Sequence, residues 1–90
     1  MAADLILDIV NEKGLHARAS AKFVEVVERF DADAQVSRDG ATVSGDSIMG
    51  LLMLAASKGT SIAVSTSGAQ ADDLAEALST LVADKFGEGR

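Results

Sequence analysis

The dipeptide Asp39-Gly40 limits the folds open to this 90-residue chain more than any other local feature. It separates two short runs, residues 34–38 and 41–44, whose composition favours β-strands. A type I′ turn needs a positive φ at both central positions, and Asp-Gly adopts that conformation readily. The sequence therefore predicts a β-hairpin at this point, and with it antiparallel pairing in the sheet.

Apolar spacing predicts two further strands and three helices around the hairpin. Residues 5–10 and 60–65 alternate with the period of two that is typical of strands. Residues 17–30 and 68–86 show the spacing of amphipathic helices, and a short apolar helix is predicted over 48–54. The predicted order is β-α-β-β-α-β-α, which indicates an α+β fold with the helices on one face of the sheet.

Length and composition predict one domain, residues 1–90, and argue against several classes of function. Asp and Glu number 14 against 8 Lys and Arg, so binding to nucleic acid is not expected. No stretch approaches the roughly 20 apolar residues of a membrane-spanning helix, and the first residues lack the basic region of a signal peptide. We therefore expect a cytoplasmic protein with no membrane insertion.

The segment Gly14-Leu15-His16-Ala17-Arg18 contains the only histidine of the chain, where a turn leads into a helix. The first turn of a helix favours anions, because its N–H groups are unsatisfied and carry partial positive charge. A neutral imidazole can attack phosphorus through its free nitrogen, and the Arg18 guanidinium could bind phosphoryl oxygens. These residues suggest phosphoryl transfer, although a lone histidine near a helix start is more often a cap or a solvated residue.

Other kinds of chemistry find little support in the sequence. There is no Gly-x-Ser-x-Gly elbow for a catalytic triad and no phosphate-binding P-loop motif. One histidine and no cysteine leave only carboxylates to complete a zinc site. We therefore expect a protein that needs neither a metal nor a cofactor. We also expect it to be a monomer.

The predicted N-termini of the second and third helices carry polar residues suited to capping. Ser47 or Asp46 is expected to cap the short apolar helix. A phosphate on Ser47 would be favourable at a helix N-terminus and would change the charge nearby, so this serine is either a cap alone or also a regulatory site. Ser67 and Gln70 have the spacing of a capping box for the last helix.

The second predicted helix has six apolar residues within seven positions, more than one face can bury. Leu51 and Leu54 suit the core. Ile48, Met49 and Leu52 can remain exposed, where they would form an adaptable docking surface for partners. The alternative is that other elements cover this helix completely.

Three features of the chain together resemble the HPr family, the histidine phosphocarriers of the bacterial sugar phosphotransferase system. They are the motif Asn11-x-x-Gly14-Leu15-His16-Ala17-Arg18, the segment 45–51 that contains Ser47, and the order of the elements. The resemblance covers essentially the entire chain. It implies an open-faced β-sandwich, in which three helices cover one side of a four-stranded antiparallel sheet.

The resemblance also implies a function in which the protein carries a phosphoryl group and is not an independent enzyme. Enzyme I would phosphorylate Nδ1 of His16, and the group would pass to an enzyme IIA domain. Ala17 and Arg18 would bind the phosphate, and Ser47 would be the regulatory target of an HPr kinase/phosphorylase. The docking residues that it implies are Leu15, Ala17, Ile48, Met49 and Leu52.

The sequence departs from the family pattern at two places. Ala19 stands where family members commonly have proline, which leaves an additional N–H in the first turn of the helix. Glu25 and Glu28 stand where members often carry basic residues. These changes leave open which enzyme I and which enzyme IIA the protein would serve. The sequence is as compatible with a nitrogen-regulatory branch of the system as with sugar uptake.

Two alternatives to the phosphocarrier come from other classes of protein. One is a regulatory interaction module controlled by phosphorylation of Ser47, although the presence of His16 and Arg18 argues against this as the sole function. The other is a small ligand-binding domain of the ferredoxin-like kind. That fold matches the first six elements but explains neither the histidine turn nor the third helix.

Overall fold

The computed structural model describes residues 2–90, which form one four-stranded sheet and three α-helices. The strands are β1 (Ala2–Asp8), β2 (Asp33–Arg38), β3 (Ala41–Ser44) and β4 (Ser61–Ser67). The helices are α1 (Ala17–Glu28), α2 (Ile48–Met53) and α3 (Ala71–Ala83), and a 3-10 turn (Lys85–Gly87) follows α3. The predicted α+β class and the order β-α-β-β-α-β-α are confirmed.

All neighbouring strands in the sheet are antiparallel, in the order β1-β4-β2-β3. The predicted hairpin joins β2 to β3, with Asp39 at φ 50° and Gly40 at φ 82°. Both values lie in the left-handed region that a type I′ turn requires. The hairpin prediction is therefore correct in position and in turn conformation.

The core lies between the helices and one face of the sheet. Leu7, Val36 and Ile62 project from three strands into this core, where they join Phe23 of α1 and Leu74 of α3. Successive residues of a strand point to opposite faces, so the intervening side chains lie on the uncovered face. This arrangement is the expected open-faced β-sandwich, with its three helices on one side of the sheet.

The sheet extends further than the sequence predicted, at the start of β1 and the end of β4. Ala2 pairs with Ser67 and Ala3 with Thr66, beyond the predicted limits at residues 5 and 65. Small and polar side chains at these ends do not alternate in hydrophobicity, so the sequence pattern carried no signal for them. The strands extend because each end supplies hydrogen-bonding partners for the other.

The predicted capping box at the start of α3 is wrong. Helix α3 begins at Ala71 rather than near Gly68, which has a φ of 109° and is outside the helix. Gln70 occupies the N-cap position but makes no capping bond with its side chain. Its Oε1 instead accepts a hydrogen bond from the backbone N–H of Asp31 at 2.7 Å, so Gln70 ties the start of α3 to the end of α1.

The sequence predicted that the last helix continues to residue 86, but the segment after α3 instead turns sharply. Lys85 and Phe86 both have a φ of 55°, and Phe86 is completely buried. The Nζ of Lys22 donates a hydrogen bond to the carbonyl oxygen of Phe86 at 2.6 Å. These contacts hold the end of the chain against the beginning of α1.

Candidate functional site

His16 is the N-cap residue of α1, at the point where the turn of residues 11–14 enters the helix. Its backbone is extended, with φ −78° and ψ −176°. The side-chain Nδ1 accepts a hydrogen bond from the backbone N–H of Arg18 at 3.3 Å. This bond restricts the orientation of the imidazole, and because the side chain is 26% exposed, part of the ring remains accessible.

The turn that presents His16 is fixed by a close approach to the segment after α2. Gly14 has a φ of 64°, and a Cβ at this position would lie 2.8 Å from the Cα of Ser57. The N–H of Leu15 donates to the carbonyl oxygen of Ala56 at 2.8 Å. Leu15, which was expected to contact partners, is only 4% exposed and lies in the core, so its side chain anchors the turn.

Glu88 is the functional candidate that the sequence did not indicate. Its Oε2 pairs with Nε2 of His16, and its Oε1 accepts a hydrogen bond from Nδ2 of Asn11 at 2.9 Å. Asn11 is completely buried, and the same Nδ2 also donates to the carbonyl oxygen of Gly14 at 2.8 Å. Glu88 lies 72 positions from His16, and only the sharp turn after α3 brings the two together.

The pKa of Glu88 reflects opposing influences at this site. Burial alone would raise the pKa of the carboxyl group, because it disfavours the charged form. The hydrogen bonds from Asn11 and His16 lower it, as do the electrostatic interactions with His16 and Lys13. Together they outweigh burial and hold the pKa below its ordinary value of 4.5, so Glu88 is ionised at neutral pH.

A cavity of about 380 Å³ adjoins Arg18 and Glu88 and has mainly basic walls. Its charged lining residues are Lys13, Arg18, Lys22 and Arg90, with Glu12 and Glu88. Four basic groups against two acidic ones are notable in a chain with a formal net charge of −6. The local excess of positive charge favours an anion beside the N-terminus of α1.

Ser47 is the N-cap residue of α2, as one of the two sequence predictions proposed. Its Oγ accepts a hydrogen bond from the N–H of Gly50 at 3.0 Å. Asp46, the other candidate cap, instead accepts a hydrogen bond from Oγ of Ser44 at 2.6 Å. Ser47 is half-buried, so its hydroxyl is at the margin of the surface rather than in the core.

Helix α2 leaves an apolar patch on the surface, consisting of Ile48, Met49, Leu52 and Met53. Met49 is 69% exposed and Met53 79%, whereas Ile48 is 41% exposed and Leu52 is half-buried. Leu51 and Leu54 are buried as predicted. The prediction of a partly exposed helix is therefore correct, and Met53 adds to the exposed surface that the sequence indicated.

The family pattern also drew attention to three positions of α1. Ala19, at the place of the usual proline, is completely buried, and Glu25 and Glu28 are exposed. Ala17 is exposed beside His16 in the first turn.

No group of three or more side chains among residues 2–90 is arranged to hold a metal ion. Within the same residues, no helix has the length and apolar character needed to span a membrane.

Comparison with known protein families gives a match over most of the chain. The sequence model described as "PTS HPr component phosphorylation site" matches residues 6–84, a range that includes both His16 and Ser47. The chain belongs to the HPr family. The family membership and the general phosphotransfer role that the motif suggested are thus established.

Curated HPr relatives match almost their full length. The chain is 46% identical to phosphocarrier protein HPr of Neisseria meningitidis serogroup B over 83 residues, which is 92% of this chain and 93% of the relative. It is 45% identical to HPr of Pseudomonas aeruginosa over 86 residues, or 94% of this chain and 96% of the relative. The similarity is therefore to complete phosphocarrier proteins rather than to a fragment of one.

Solved HPr structures share the fold. The TM-score with HPr-C-His from Thermoanaerobacter tengcongensis is 0.91 at 35% identity, covering 96% of this chain and 97% of that one. For HPr from Bacillus anthracis it is 0.85 at 37% identity, covering 90% and 96%. The open-faced β-sandwich implied by the sequence is thus confirmed.

Proposed function

We propose that His16 accepts a phosphoryl group on Nδ1 from phosphorylated enzyme I and passes it to an enzyme IIA domain. The observation that carries this proposal is the position of Nδ1. It lies at the N-terminus of α1, where it receives the N–H of Arg18, and Arg18 also lines a cavity that has four basic residues. A ring nitrogen that accepts this bond has its lone pair in the plane of the ring and carries no proton.

In the transfer step, the hydrogen bond from the Arg18 N–H to Nδ1 breaks, and the lone pair of Nδ1 attacks the phosphorus of the donor. A bond forms between Nδ1 and phosphorus while the bond from phosphorus to the donor breaks, and the donor leaves with that electron pair. The Arg18 guanidinium binds the phosphoryl oxygens, and the N–H groups of Ala17 and Arg18 stabilise their charge at the helix N-terminus. In the transfer to enzyme IIA, the acceptor attacks the phosphorus, the bond between phosphorus and Nδ1 breaks, and Nδ1 regains its lone pair.

Partner proteins would dock on the apolar patch of α2 and on Ala17. Methionine is common on surfaces that bind several partners, because its side chain is flexible and polarisable. Leu15 is excluded from this surface by its burial. The exposed Glu25 and Glu28 would favour partners with basic groups opposite α1, in either a sugar-uptake or a nitrogen-regulatory branch.

Phosphorylation of Ser47 would regulate the same docking surface. A phosphoserine adds about −1.5 to −2 charges at pH 7, and here it would directly precede Ile48 and Met49. Those charges oppose the burial of an apolar patch against a partner, so modification by an HPr kinase would weaken docking. Phosphorylation of Ser47 would thus regulate the phosphocarrier rather than define a separate function. We propose that the protein acts in the cytoplasm as a monomer and is not an independent enzyme.

Intact-protein mass tests the proposed function directly. After mixing with enzyme I and phosphoenolpyruvate, the wild type should gain one phosphoryl group that brief acid treatment removes. The His16→Ala variant should gain none, while Ser47→Ala should gain it as the wild type does. An acid-stable adduct, or an adduct on His16→Ala, would show that another residue is phosphorylated.

A further inference from the structure

The two ring nitrogens of His16 face partners of opposite kinds. Nδ1 faces the backbone N–H of Arg18, which can only donate a hydrogen bond. Nε2 faces the carboxylate of Glu88, which can only accept one when it is ionised. Both contacts therefore favour the same neutral tautomer, with the proton on Nε2 and the lone pair on Nδ1.

The carboxylate of Glu88 is held in place by a direct hydrogen bond and by the fixed backbone before it. Asn11, which is completely buried, donates to Oε1 of Glu88 at 2.9 Å. Two residues before Glu88, the buried Phe86 fixes the backbone, and its carbonyl oxygen accepts a hydrogen bond from Lys22 at 2.6 Å. The side chain of Glu88 is only 13% exposed, so water competes weakly for the contact with His16.

We propose that Glu88 is a positioning residue, which acts through Nε2 to keep Nδ1 of His16 unprotonated and available to the phosphoryl donor. This inference rests on the proposed function. When the bond between Nδ1 and phosphorus forms, the ring keeps its proton on Nε2 and gains positive charge. The carboxylate of Glu88 stabilises that charge without taking the proton, just as a buried carboxylate orients and stabilises the catalytic histidine of serine proteases.

Nitrogen NMR of the His16 ring tests the inference without any phosphoryl transfer. At about pH 8, where imidazole is neutral, the wild type should show the protonated signal at Nε2 and the unprotonated one at Nδ1. Glu88→Gln should move both signals toward a mixture of tautomers, and Glu88→Ala should move them further because no acceptor remains. Glu76→Gln, an equal change of charge on the exposed side of α3, should leave them as in the wild type.

The rate of phosphorylation by enzyme I provides the second measurement. Glu88→Gln should lower this rate roughly tenfold, the lower end of the loss found when a residue that orients a metal-binding histidine is changed, while Glu76→Gln should not. If Glu88→Gln and Glu88→Ala keep the ring signals and the rate of the wild type, Glu88 has no positioning role. If the wild type itself accepts no phosphoryl group, the proposed function fails, and the ring signals still show whether Glu88 sets the tautomer.

Discussion

Arg18 contributes to the site through two groups that can be separated by mutation. Its backbone N–H donates to Nδ1 of His16, and this bond does not depend on the side chain. Its guanidinium is exposed and lines the basic cavity. The backbone N–H of Arg18 thus orients the free imidazole, whereas the guanidinium acts only on the phosphate.

Replacement of Arg18 by alanine should slow phosphoryl transfer with little change in stability. A hydrogen bond to a charged group contributes about 1.5–3 kcal/mol, so the transfer rate should fall at least tenfold. The melting temperature should stay near that of the wild type, because an exposed side chain is removed and the backbone bond to His16 remains. A rate equal to that of the wild type would exclude the guanidinium from the mechanism.

Gly14 combines two requirements that no other residue type meets at this turn. Its φ is positive, and a Cβ would approach the backbone atoms of Ala56 and Ser57 too closely. Gly14→Ala should therefore destabilise the protein by about 1–3 kcal/mol more than Gly59→Ala, measured by urea unfolding. Gly59 is the matched control, because it has a φ of 90° but open space around its Cα. Equal losses would show that the backbone after α2 moves aside easily.

At the level of the elements, α2 joins a structural cap to a docking surface. Ser47 caps the helix through its bond to Gly50, and the exposed Ile48 and Met49 follow immediately. Ser47 therefore contributes to the stability of α2 and also lies next to the surface proposed to bind partners. A change at Ser47 can affect either property, and the choice of substitution separates them.

Ser47→Ala should change mainly the stability, and Ser47→Asp mainly the binding. Alanine removes the cap, so the free energy of unfolding should fall by about 1 kcal/mol, while affinity for enzyme I changes little. Aspartate is itself a good N-cap and should keep stability, but its charge beside the apolar patch should weaken binding to enzyme I. Unfolding curves and titration calorimetry measure the two effects. Equal affinity of the aspartate variant and the wild type would contradict regulation through charge at this site.

The elements that the sequence predicted well depend on local chemistry. The Asp39-Gly40 turn and the cap at Ser47 are both determined by residues within a few positions. The errors arise where distant parts of the chain meet. Gln70 bonds to Asp31 rather than to its own helix, and Glu88 reaches His16 across the entire domain. No periodicity within α3 could have indicated either contact.

Across the entire molecule, charge is distributed unevenly in a way that composition alone concealed. The formal net charge of −6 argued against binding to nucleic acid, yet four basic side chains gather at one cavity beside His16. A net charge describes the average field of a protein, whereas binding of an anion depends on the groups nearby. The composition therefore argued against a class of partner but could not show where an anion would bind.

The order of the sheet leaves β1 and β3 as its two edge strands. An unpaired edge can recruit a strand from another molecule and so begin aggregation. Strand β3 has only four residues, and β1, with seven, carries the exposed Asp4 and Asp8. Their charges would repel a second copy that approached in register. These two aspartates therefore oppose strand addition at the longer edge of the sheet, a contribution to solubility that is independent of any part in carrying phosphate.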